Sequence, residues 1–201
     1  MATWDELRER LFGTPYEVWH DGFDEGRIDL ADPQELRAAL PEGLAAGDWV
    51  AAVVARRLGD AGLLPLVAAR LGIGGGRFAV EAARAIVALG GDRDAAVTWA
   101  VASLTRGGWP DRLDVALGLR HLPGAGVVEA LLGVVADDPE YLVRYHAAES
   151  LLCLGGVEPG DISLQGEVFS DLVAGADREL TDDDRQRHAR AAAALGRLLT
   201  R

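Results

Sequence analysis

His121 and His146, taken with Asp114 and Glu149, are the side chains whose types suit chemistry. Two imidazoles and two carboxylates are enough to hold a metal ion or to move protons near neutral pH. They fall at different positions of their helical segments, so the spacing does not bring them to coordination distance. A solvated polar face open to a partner is the favoured reading, and no catalytic residue, metal or cofactor is expected; His20 and His188 have weaker cases still. The single cysteine, Cys153, lies in a helical apolar run and reads as a small buried hydrophobe, because a nucleophilic thiol needs a positioned base. The stretch Asp21 to Ile28 has Gly26 where a calcium loop has its turn, but Phe23 replaces an oxygen ligand and Asp32 replaces the closing bidentate Glu. It reads as an acidic surface loop. Gly72 to Gly76 follows a helix rather than a strand and lacks a following Lys-Ser or Lys-Thr, so it reads as an inter-helix turn and not a phosphate cradle.

The elements that must position these residues are punctuated by five leucine stops: Leu58-Gly59, Leu89-Gly90, Leu122-Pro123, Leu154-Gly155 and Leu195-Gly196, spaced by 31, 33, 32 and 41 residues. A period in this range marks a helical repeat array. Six residues before each Leu stands an alanine, at Ala52, Ala83, Ala116, Ala148 and Ala189. Gly after the last apolar position is a left-handed helix stop. The pattern predicts second helices near 49–58, 78–90, 111–122, 141–155 and 183–199, and first helices near 35–46, 63–71, 93–106, 125–136 and 165–176. Val157 to Leu164 accounts for the longest spacing as a surface loop. In the second helices the alanines, with the column Ala55, Ile86, Leu119, Leu151 and Ala192, make an apolar stripe. The other face holds Arg57, Glu81, Arg84, Asp114, His121, His146, Glu149, Arg187 and Arg190. Arg112, Arg144 and Arg185 share one further column and predict a ladder between repeats.

Residues 1–48 differ from the remainder. They hold twelve Asp and Glu against four Arg, which is eight of the net −12 charges. They also hold Trp4, Phe12, Tyr16, Trp19 and Phe23, which either cover the end of the array or form an acidic, aromatic contact patch. Short helices are expected near 3–12 and 33–46, the second begun by Asp32 and Pro33. Acidity opposes phosphate backbones and anionic lipid and favours a basic protein partner, so neither nucleic acid nor membrane binding is expected. The absence of Lys and Asn, beside abundant Ala, Gly and Arg, fits the codon usage of a high-GC bacterium. The N-terminus has neither a basic region nor an apolar run, and no stretch approaches about 18 apolar residues, so a cytoplasmic location is the expectation.

The unit from Asp138-Pro139 through Val143-Arg144 and Ala147-Ala148 to Leu154-Gly155 resembles the HEAT repeat family, in its short bacterial form of about 30 residues. Ala82-Ala83 to Leu89-Gly90 matches without the Val-Arg pair, and 111–124 and 185–196 match in part. The resemblance covers roughly 36–201 and implies an all-α fold: a right-handed α-solenoid of about five HEAT-like helix pairs on an atypical N-terminal cap, residues 1–35. In that family the second helices line the concave face, which makes the polar column above the implied partner surface. Trp4, Tyr16, Trp19 and Phe23 are the second candidate surface. A non-enzymatic adaptor or inhibitor follows, for instance an immunity protein against a basic toxin. HEAT-like bilin lyases, HEAT-like DNA glycosylases and structural scaffold subunits are the alternatives.

Overall fold

The computed structural model describes residues 2–14, 16–18, 22–157, 161–176 and 178–199, and among these every regular element is helical, with no strand. By packing, the chain divides into two compact units, Met1–Gly74 with Glu81–Ala96 and Gly75–Val80 with Val97–Arg201. No helix among the described residues is long and apolar enough to cross a membrane.

The first unit is built from α1 (Trp4–Phe12), α2 (Pro33–Ala46), α3 (Trp49–Leu58), the short α4 (Leu64–Ala68) and the part of α5 (Gly76–Ala88) that begins at Glu81. Each start has a chemical cause. Thr3 and Glu6 form a capping box on α1, and Asp32 caps α2 at the Gln34 N–H with Pro33 in the first turn. Gly47, at φ 73°, then reverses the chain in two residues, and Asp48 starts α3. The Asp48 carboxylate also joins α3 to α1. One oxygen accepts from the Val50 N–H at 2.9 Å, and the other accepts from the Trp4 indole and the Arg8 Nε, each at 2.8 Å. Trp4 is 1% exposed, and a Cβ at Gly43 would stand 2.5 Å from its ring, so α1 packs on α2 only because residue 43 has no side chain. Val50 to Ala55 are all buried, which makes α3 a core helix over that span rather than an amphipathic one.

The second unit holds Val97–Ala102 of α6 (Arg93–Ala102), then α7 (Trp109–Gly118), α8 (Val127–Asp137), α9 (Tyr141–Leu154), α10 (Gly166–Leu172) and α11 (Asp182–Leu199). Helix α9 packs on α7 and α8, and α11 packs on α8, α9 and α10. Val143, Ala147, Ala148, Leu151 and Leu152 form the apolar stripe of α9, all fully buried. Ser150 of the same helix donates to the Ala116 carbonyl at 2.7 Å, tying α9 to α7. One residue of the stripe is charged. Arg144 is 0% exposed and donates to the carbonyls of Asp138 and Pro139 at 2.9 and 3.0 Å, of Leu172 at 3.3 Å and of Ala174 at 3.5 Å. Burial pushes its guanidinium below the usual value, while the surrounding Asp138, Glu140 and Asp184 oppose that shift. The carbonyls it meets at 172 and 174 close α10, where a helix leaves its acceptors open.

The helix positions agree with the leucine-stop pattern, but three details differ. In α11 the buried residues are Asp184, His188, Ala191, Ala192 and Leu195, whereas Ala189 and Arg185 are exposed. Leu195 therefore occupies the place of Leu151, not of Leu154, and His188 occupies the place of Arg144. The four consecutive alanines 191–194 let the pattern slide by one turn. Consequently the predicted arginine ladder ends at Arg144: Arg112 pairs with Asp138 at 2.7 Å, while Arg185 pairs, among the described residues, with Asp182 in its own first turn. Second, Cys153 is exposed, because the α9 stripe ends at Leu151 and Leu152 and residue 153 falls on the outer side. Third, the loop predicted at Val157–Leu164 holds a short 3-10 turn, Ile162–Leu164, whose Ile162 is fully buried while Leu164 stays 65% exposed. Pro159 and Gly160 lie outside the described residues.

Candidate functional site

The polar residues of the second helices resolve into separate groups. In the first unit Glu81 is buried and accepts from Arg84 on both carboxylate oxygens, at 2.8 and 3.1 Å. Arg56 stands 3.9 Å from Glu81 and pairs with Glu25 at 2.8 Å. Arg57 is turned to Asp29, which it holds with two nitrogens. These cations are committed within the chain. Of the N-terminal aromatics, Trp4 belongs to the core, and Phe23 is half-buried between Phe12 and Trp49, each ring 4.9 Å away. Tyr16 is 67% exposed, and Trp19 lies outside the described residues.

In the second unit Arg187 and Arg190 converge on one carboxylate, Asp171, at 2.9 and 3.1 Å. Asp114 is half-buried, and burial raises its carboxyl above the usual range, with Arg77 opposing and Asp111 adding to the shift. His121 is exposed at the end of the 3-10 turn that follows α7.

His146 and Glu149 do come together. They lie one turn apart on α9, and the imidazole Nδ1 meets the Glu149 Oε2 at 3.0 Å. A carboxylate on Nδ1 favours the proton there and leaves Nε2 as the basic nitrogen. Arg120, arriving from the turn after α7, places Nη2 3.9 Å from the same oxygen while its Nε donates to the Leu117 carbonyl at 3.0 Å.

Beside this pair stands the residue that sequence reasoning did not select. Tyr145 is half-buried, and three rings surround it: His146 at 5.2 Å, Tyr141 at 5.9 Å and Phe169 at 6.4 Å, all in edge-to-face contact. Its hydroxyl lies against Glu149 and Asp161. Burial, followed by the negative charge of those two carboxylates, raises the phenol above its usual value, so it stays protonated as a donor. Asp161 is in turn held low by the Ser163 hydroxyl and N–H, at 2.6 and 2.8 Å. The Tyr141/Tyr145 spacing of four is visible in the sequence as a same-face aromatic pair. Asp161 and Phe169 are not legible there, since both lie outside the repeating columns.

The arrangement can accept charge-assisted hydrogen bonds at Glu149 and Asp161 and offer aromatic surface at Tyr145. Among the described residues, no group of three or more His, Cys, Asp or Glu is placed to hold a metal ion. Compared with protein-family models, curated proteins and solved structures, the chain has no match in any of the three.

Proposed function

We propose that this chain is a non-enzymatic binding module, an adaptor or inhibitor that captures a basic protein through the Tyr145 cluster. The observation that carries the reading is the half-exposed Tyr145, ringed by Tyr141, His146 and Phe169 and bordered by the Glu149 and Asp161 carboxylates. A partner's Arg or Lys finds both an aromatic face and an anionic acceptor there, and that combination makes a contact hot spot. The net charge of −12 accelerates encounter with a cationic surface.

We further infer that the helix pairs stack as HEAT-like repeats of a right-handed α-solenoid. What supports this in the second unit is the packing of the later helices back on earlier ones, with α9 on α7 and α8 and α11 on α8, α9 and α10. One concrete version of the function is a bacterial immunity protein that covers a cationic toxin such as a nuclease. A toxin gene beside the coding locus supports that version, and an isolated housekeeping locus counts against it.

Affinity purification from the native host with mass spectrometry tests the main proposal, run in parallel with Tyr145→Ala and Glu149→Arg. A basic protein retained by the wild-type chain and lost from both variants is the expected result, with Tyr145→Ala weakening binding by about thirtyfold, or about 2 kcal/mol. Undiminished capture by both variants would refute the assignment.

A further inference from the structure

A cavity of about 690 Å³ lies between α6 and α8, on helices that contribute nothing to the Tyr145 cluster. Its walls are mainly apolar, formed by Val101 and Leu104 on one side and by α8 on the other. Helix α8 presents Ala130, Gly133, Val134 and Asp137 to it, a single face at spacings of three and four. The buried stripe of α8 is a different one: Val127, Leu131 and Val135 are at most 1% exposed. The helix thus has a second small-residue face for which the fold provides no cover.

Gly133 is the informative residue. It sits inside the helix, and a Cβ built there meets nothing within 4 Å, so no neighbour in the chain requires a glycine. A missing side chain on the floor of a groove permits close approach by another backbone. Polarity at the groove's end gives the occupant's charge. Asp138 is consumed, gripped by Arg112 at 2.7 and 3.1 Å and accepting from the Glu140 N–H. Asp137, by contrast, is exposed and makes no ion pair among the described residues. From Ala130 to Asp137 the face runs seven residues, about 10 Å at 1.5 Å per residue, which is two helical turns.

We propose that this groove docks an amphipathic helix of a basic partner, which sets an aliphatic side chain over Gly133 and a Lys or Arg against Asp137. Complementary charge at Asp137 and the two-turn length of the face select a cationic helix as the occupant. The proposal shares with the function above only the basic character of the partner, since the residues are different.

The test uses the full chain and a fluorescein-labelled Leu/Lys amphipathic peptide of about 14 residues, the length at which an isolated helix begins to form. A Leu/Glu peptide of the same pattern is the control, and binding is read by fluorescence anisotropy. Wild-type protein is expected to bind the Leu/Lys peptide and not the Leu/Glu one. Gly133→Leu leaves the net charge unchanged and has room for its Cβ, so general electrostatic attraction persists in that variant; binding is nevertheless expected to weaken about tenfold or more, one factor of ten being the smallest change a lost aliphatic contact should give. Asp137→Arg should weaken it to a similar degree, and Tyr145→Ala should leave it unchanged, which separates this site from the other. A melting temperature for Gly133→Leu at or above wild type confirms that the variant is folded. Equal binding by wild type and Gly133→Leu would overturn the proposal, as would equal binding of the Leu/Glu peptide. So would a wild-type dimer in sedimentation that Gly133→Leu dissolves, because a second copy would then be the occupant.

Discussion

Replacing Arg144 by Met keeps an apolar stem of similar length and removes the guanidinium from a site with no access to water. Four backbone carbonyls lose a charged donor, and of these the Ala174 carbonyl keeps its bond from His188. Those of Asp138 and Pro139 receive short bonds, 2.9 and 3.0 Å, whereas Leu172 and Ala174 are met at 3.3 to 3.5 Å. A bond from a charged donor contributes about 1.5–3 kcal/mol at good geometry, so the two short ones are worth about 3 kcal/mol and the long ones together about 1 kcal/mol more. Part of that is offset, because Met does not have to be stripped of its hydration as a cation does. A net loss of about 3 kcal/mol is expected, measured as the change in urea-unfolding free energy followed by circular dichroism. Hydrogen exchange should locate the effect, with residues 166–176 losing protection before α8 and α9. Arg144→Lys should fall between the two, since a single ammonium cannot span carbonyls on both sides of the site. Stability of the Met variant within about 1 kcal/mol of wild type would refute the reasoning, for it would mean that the carbonyls find other partners or that burying the cation cancels its bonds.

Two glycines should respond in opposite directions to alanine. Gly133→Ala is expected to raise stability by about 1 kcal/mol, or roughly 2–4 °C in melting temperature, because an open helical site gains propensity at no steric cost. Gly43→Ala should instead lower it by about 1–3 kcal/mol, since the new Cβ must displace the Trp4 ring. Acid should weaken the second unit in two steps. Burial holds His188 below its ordinary 6.5 against the pull of its Nε2–H bond to the Ala174 carbonyl. Its contribution is therefore complete above pH 6.5 and declines as the pH falls from there toward the folded-state value. Asp184, held far below the usual 3.8 by Arg178 and Thr181, adds a further loss as the pH drops beneath 3.8. His188→Gln should flatten the first step in pH-dependent urea titrations and leave the second. Cys153, the chain's one thiol, should react with a maleimide at the same rate in the native and the urea-unfolded chain to within about tenfold; a thiol protected until unfolding would place it inside the core.

Helix positions were legible because the first four Leu-Gly or Leu-Pro stops state a boundary locally, whereas Leu195-Gly196 lies inside α11, and the alanines at 52, 83, 116 and 148, all fully buried, repeat one packing requirement. The fifth unit was misaligned for a physical reason: Ala191 to Ala194 offer four equivalent small side chains, and only tertiary packing chooses among them. Cys153 was read as buried because it lies in an apolar run beside Leu151 and Leu152, yet it stands four residues after Glu149, on the side of the helix that the polar residues share. Helical spacing is the better guide there than the hydrophobicity of adjacent residues. His146 and Glu149 could be found from a spacing of three on one helix. Tyr145 could not be recognised as their centre, because the carboxylate and the ring that complete its surroundings come from Asp161 and Phe169 in less regular chain.

The Ala174 carbonyl receives Arg144 from α9 and His188 from α11, at 3.5 and 2.9 Å. The end of α10 is therefore located by side chains of the helices on either side of it in sequence, and not by the length of the connection that leads to it. Two donors from different helices hold that one carbonyl, so loss of either side chain should loosen the end of α10 without releasing it.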